Sequence, residues 1–303
     1  MPVETRPHVD RQHFDAIRIE AERHGDRLPG LMVEADRVAR TVFQGVHGRR
    51  RTGVGETFWQ YRPYQPGEPA NQIDWRQSAK SRHLFVRQQE WEAAQSVWLW
   101  VDQSASMRFR SSETIDFKHE RALLLALALA SLLVRGGEQI AVLGTGRRPA
   151  AGRHALERFA RDLLAAGDEQ DGLPSTEGLR ADARIVLVSD WLQPPEPLAE
   201  DLARLAARRA KTVMLHMVDP AEESLPFDGR TLFRGLEREG EALFGNVRDI
   251  RERYVALFDA HCGRLDGLCR RFGWSRLRHR TDHSATSGLL SLYQLMSHAQ
   301  GGR

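Results

Sequence analysis

With 303 residues, 41% of them apolar and 28% charged, the chain is long enough to bury a full α/β core and far from a disordered composition. The formal net charge of +3 and the pI near 9.1 do not single out a nucleic-acid binder, because arginine outnumbers lysine 41 to 3 and acidic residues are interleaved almost throughout. The longest apolar run, Ala122 to Val134, is too short to cross a bilayer and the first residues alternate in charge, so neither a membrane span nor a secretory signal is expected.

In chain order, residues 1–44 read as a helical lead-in, with amphipathic patterns over Arg11 to His24 and Leu31 to Phe43 separated by Pro29 and Gly30. Residues 45–96 turn rich in glycine, arginine, proline and aromatics and read as a β-rich module, with strand-like runs at Thr57 to Arg62 and Leu84 to Trp91. The basic cluster Arg49, Arg50 and Arg51 is read as a solvated face, and Asp74 and Trp75 with Arg62 and Tyr64 as anchors of an irregular loop.

From residue 97 to 303 strands and helices alternate. The strands are Val97 to Val101, Gln139 to Gly144, Arg184 to Ser189, Thr212 to Val218 and Trp274 to His279. The helices are Phe117 to Arg135, Arg153 to Ala166, Leu198 to Ala210, Val247 to Phe272 and Ser287 to Ala299. Short apolar strands between helices imply an α/β fold with a mostly parallel sheet, helices on both faces and right-handed crossovers. His216 falls inside a buried strand pattern and reads as a core histidine. Cys262 and Cys269, seven apart on one helix, cannot pair without unwinding it, which fits a reducing cytoplasm.

Ligands of such sheets collect at the carboxyl ends of the strands. There stand Asp102, Ser104 and Ser106, whose alternation in a turn lets three oxygens converge, and Asp190 ends a second strand. Carboxylate and hydroxyl oxygens are a hard ligand set suited to Mg²⁺, with Mn²⁺ or Ca²⁺ as alternatives. A helix cap built from the same residues is the competing reading. Asp102 is expected to face solvent.

Asp102, Ser104, Ser106 and Asp190 resemble the metal-ion-dependent adhesion site of von Willebrand factor A domains. The preceding segment resembles the bacterial family known as domain of unknown function 58, through Gly45, Gly48, Arg51, Gly53, Gly55, Phe58, Arg62, Tyr64, Pro66, Gly67, Ile73, Asp74, Trp75, Ser78, Ala79, Val86 and Arg87. Asp219 to Glu223, Leu225, Pro226 and Gly229 continue it, so the resemblance spans about Gly45 to Tyr254. It implies a von Willebrand factor A-like (Rossmann-like) fold and a non-enzymatic protein-binding module that works beside a MoxR-type AAA+ ATPase, a client protein, or both.

The chain departs from the adhesion-site pattern where a threonine is expected, since Arg153 stands there. Two arrangements stay open. A metal is held by Asp102, Ser104, Ser106 and Asp190, with Thr176 a substitute ligand, or the Arg153 guanidinium replaces the metal and recruits a partner's carboxylate. An enzyme reading, a Mg-dependent aspartyl phosphotransferase or phosphatase using Asp102 and Asp190, lacks a general acid at Ser104 and a suitably placed lysine. Gly144 to Pro149 only mimics a dinucleotide fingerprint, and neither a phosphate loop nor a nucleophile elbow occurs.

Overall fold

The computed structural model describes residues 29–44, 58–65, 69–70, 73–81, 83–89, 95–166, 173–180, 183–236 and 240–298. The helical pattern Arg11 to His24, the cluster Arg49 to Arg51, and Gly45, Gly48, Gly53, Gly55, Pro66 and Gly67 lie outside them. The described chain forms two compact units, one of helix α1 (residues 29–44) with residues 95–303, the other within residues 45–94.

Helix α1 begins at Pro29, because the first turn needs no amide donor there and the fixed φ of proline suits it. Its buried stripe, Ala35, Val38, Ala39 and Val42, follows the helical period. In the smaller unit β1 (Phe58–Pro63) pairs antiparallel with β2 (Phe85–Gln89). The short helix α2 (Trp75–Ser78) is capped by Asp74, whose Oδ1 accepts from Gln77 N at 2.9 Å. The Tyr61 hydroxyl donates to the other Asp74 oxygen at 3.4 Å, so Asp74 does anchor this irregular stretch.

The larger unit is built on β3 (Ser96–Val101), whose apolar residues have no polar face to offer water. Each of Val97 to Val101 is at most 4% exposed. Helix α3 (Lys118–Arg135), β4 (Gln139–Val142), α4 (Arg153–Ala165), β5 (Arg184–Ser189), α5 (Pro195–Ala206), β6 (Lys211–Val218) and α6 (Pro220–Ser224) follow. The hairpin β7 (Thr231–Arg234) and β8 (Glu241–Phe244), α7 (Arg248–Phe272), β9 (Ser275–Arg280) and α8 (Ala285–His298) complete it. The five-stranded sheet is parallel throughout, in the order β4-β3-β5-β6-β9.

Helix α3 contacts both α4 and α8 on one side. On the other, Trp98, Trp100, Ile185, Leu187 and Met214 point into a core closed by Leu198, Leu202 and Leu205 of α5 and Leu265 and Cys269 of α7. Burying one such large apolar side chain contributes roughly 1.5–3 kcal/mol. His216 is 1% exposed and its Nδ1 lies 2.9 Å from the Arg276 guanidinium, so it is a partnered core histidine. Cys262 and Cys269 are free and buried, and burial pushes the Cys269 thiol up to about 11.

Helix α5 starts earlier than its apolar period suggests, since prolines in its first turn are compatible with a helix start. In the larger unit helix α6 and the β7-β8 hairpin were not expected, nor was α2 in the smaller one. Helix α6 is only five residues long, and its signal is a capping box in which Asp219 and Glu222 exchange hydrogen bonds. The hairpin strands are four residues each, stabilised by edge-to-face rings of Phe227, Phe233 and Phe244 at 5.7 and 5.8 Å.

Candidate functional site

Strand β3 has β4 on one side and β5 on the other, so the strand order reverses between β3 and β5. Their carboxyl ends therefore form the crevice where sheets of this kind bind ligands. Asp102 leaves β3 with its amide still bonded to Val188 O at 2.8 Å, and Asp190 leaves β5. Ser104 precedes a turn of 3₁₀ helix, Ala105–Arg108, and the Ser104 and Ser106 hydroxyls lie 3.1 Å apart, both half-buried. Asp102, Ser104, Ser106 and Asp190 are thus assembled on one rim.

The exposure of the carboxylates differs from expectation. Asp102 is 4% exposed and Asp190 1%, so neither faces solvent. The reason is an unforeseen neighbour, Ser189, whose hydroxyl donates to Asp102 Oδ2 at 2.6 Å while Ser104 N donates to Oδ1 at 2.8 Å. Gln193 Nε2 approaches Oδ2 at 3.5 Å. Burial raises the Asp102 carboxyl above its usual range against the pull of these hydrogen bonds, and the charge of Asp190 adds to the rise. Ser189 Oγ also accepts from the amide of Trp191 at 3.0 Å, and Trp191 holds the left-handed backbone at φ 57°. A bulky residue in that region is strained, and here the fully buried ring packed 6.2 Å from Trp100 keeps it in place.

The second correction is Lys118, against the expectation that no suitably placed lysine is present. It opens α3, is 0% exposed, and its ammonium donates to Asp190 Oδ2 at 2.8 Å and Glu222 Oε1 at 2.5 Å. Burial pushes the Lys118 pKa down, but the two carboxylates outweigh it and hold it above its ordinary value. Removing one member of such a buried set costs about 3–5 kcal/mol. No sequence pattern marked it, because its partners lie 72 and 104 positions away.

Arg153 is the first residue of α4, following Gly152 at φ 85°. Thr176 is not brought to the rim as a ligand: its Oγ1 accepts from Arg208 Nε at 3.1 Å, beside the amino end of β6. Among the described residues no cluster of three or more His, Cys, Asp or Glu side chains is arranged to hold a metal. A divalent ion bound through Asp102 and Asp190 does not fit this donor set, since an ammonium holds one carboxylate and two hydrogen-bond donors the other.

Uncharacterised proteins of Mycobacterium tuberculosis and Mycobacterium bovis are 28% identical to this chain over 259 residues, covering 80% of each sequence. The solved structure of the conserved hypothetical protein BatB from Bacteroides thetaiotaomicron aligns with 14% identity and a TM-score of 0.39, over 67% of this chain and 100% of that one. An aerotolerance-related membrane protein from Bacteroides fragilis aligns with 13% identity and a TM-score of 0.39, over 67% of this chain and 99% of that one. Among the described residues no helix is long and apolar enough to cross a membrane. The model of the family described as protein of unknown function DUF58 matches residues 60–263, about two-thirds of the chain, and the chain belongs to that family.

Proposed function

We propose that this chain is a non-enzymatic, von Willebrand factor A-like protein-binding adaptor that captures its partner on the rim above β3 and β5. The observation that carries this reading is a layered site: half-buried Ser104 and Ser106 and exposed Ala105 and Arg108 sit above buried, hydrogen-bonded Asp102 and Asp190. Such a base holds the turn rigid, so its hydroxyls meet a partner without first being ordered. The resemblance to von Willebrand factor A and domain of unknown function 58 proteins implies a MoxR-type AAA+ ATPase as that partner, acting in the cytoplasm, where two unpaired cysteines are stable. Arg153 is no part of this reading, because Ala150 just before it bridges Ile140 near the amino end of β4, and it is the other end of α4, Leu163 O, that Gln103 Nε2 of the rim reaches at 2.7 Å.

A phosphotransferase would need Asp102 open to an incoming phosphoryl group, and its 4% exposure with both oxygens bonded gives that alternative no support. The test is direct binding of the purified MoxR-type ATPase from the same genome to the immobilised full chain. The Ser104→Ala, Ser106→Ala double variant should bind about tenfold more weakly, as two hydrogen bonds of roughly 0.5–1.5 kcal/mol are lost. Equal binding by variant and wild type, at equal melting temperature, would refute the assignment of the rim.

A further inference from the structure

Lys118 stands where a lysine is disfavoured twice over. Opening α3 puts its charge at the positive end of the helix dipole, and complete burial strips the ammonium of water. What offsets both costs is a pair of carboxylates from two separate strand ends, Asp190 after β5 and Glu222 in α6 after β6. The surroundings are closed. Glu222 Oε2 accepts from Asp219 N at 2.8 Å, and Asp219 accepts from Ala221 N at 2.8 Å and Ser111 N at 2.9 Å. Lys118 N donates to Phe109 O at 3.1 Å, and its ammonium lies 5.8 Å from the Phe109 ring. Helix α6, the loop before α3 and the end of β5 are thereby tied around one positive charge.

We propose that the Lys118 ammonium is the resident cation of this rim, standing in for the divalent ion of a metal-dependent adhesion site, so that the rim engages its partner without metal. As regards the partner this rests on the adaptor reading; the lysine in place of a metal stands on Lys118, Asp190 and Glu222 alone. A dication sharing Asp190 with the ammonium would lie within about 4–6 Å of it, where like charges repel. Asp190 therefore serves one cation or the other. Lys118 is the one that cannot diffuse away.

Two measurements on the full chain test this. Titration with Mn²⁺ alone, followed by the electron paramagnetic resonance of the free ion, should show no binding by the wild type beyond that of Asp190→Asn at about 1 mM, the weak end of biological divalent sites. Wild-type melting should be the same in a chelator as in Mn²⁺. Lys118→Ala, which leaves Asp190 and Glu222 without their cation, should melt lower than wild type in chelator and regain several degrees in Mn²⁺. Adding Asp190→Asn should abolish that regain. One Mn²⁺ per wild-type chain, lost in Asp190→Asn, would overturn the proposal, and that titration decides even if Lys118→Ala fails to fold. In that event the ATPase would still bind, now with metal dependence. Failure of the ATPase to bind a chain that also ignores Mn²⁺ would refute the adaptor reading and leave the lysine in its place.

Discussion

Asp102 illustrates how the setting of a residue decides its use. Its side chain is spent inside the protein, on Ser104 N and the Ser189 hydroxyl. Because its carboxyl is raised in the folded state, chiefly by burial, the folded protein holds that proton more tightly than the unfolded chain. Ionisation then costs stability as the pH climbs above the unfolded value of about 4 and through the raised folded one. Asp102→Asn abolishes the ionisation, so the stability of wild type relative to the variant should be lower at about pH 7 than at about pH 4. Urea titrations at both ends of that range measure it, and a constant difference would contradict the assignment. The motif Asp102, Ser104 and Ser106 was legible because its members are contiguous. Ser189 was less so, since a serine ending an apolar strand carries no signal until a neighbouring strand places a carboxylate beside it.

Helix α8 shows a packing constraint of the same kind one level up. It lies against β9, and at Gly288 a Cβ would fall 2.6 Å from His279 Nδ1 and 2.7 Å from its Cε1. The ring is 4% exposed and has little room to move. Alanine improves helix propensity by about 1 kcal/mol, but overpacking a buried contact costs typically 1–3 kcal/mol. Gly288→Ala should therefore be net destabilising by about 1 kcal/mol, read as a lower urea midpoint with an unchanged slope. A stabilised variant would show that the ring yields. Most elements of the sheet and its helices were legible, because their apolar periods extend over many residues. Helix α6 and the β7-β8 hairpin were not, since five and four residues are too few to establish a period.

For the whole molecule, two buried histidines set a shared response to acid. His279 is pushed down to about 4, first by burial and then by Arg121 and His283, while the charge of Asp282 works the other way. Burial, with Arg276 next, drives His216 well below its usual value. A histidine depressed in the folded state is protonated first in the unfolded chain, so stability is lost as pH falls from about 6.5 towards the folded value. The urea midpoint should thus drop from about pH 7.5 to about pH 5.5, and the drop should shrink in His279→Gln. An unchanged pH dependence in that variant would place the sensitivity elsewhere.

By itself the sequence determined the alternating α/β order, the burial of β3 and the placing of Asp102, Ser104, Ser106 and Asp190 at strand ends, because hydrophobic periodicity and adjacency are local properties. Only the tertiary structure decided what those residues do to one another. The parallel order β4-β3-β5-β6-β9 brings Lys118, Asp190 and Glu222 together from positions separated by up to 104 residues. Charge pairing in a buried space is a property of proximity, and proximity between distant segments is created by the fold.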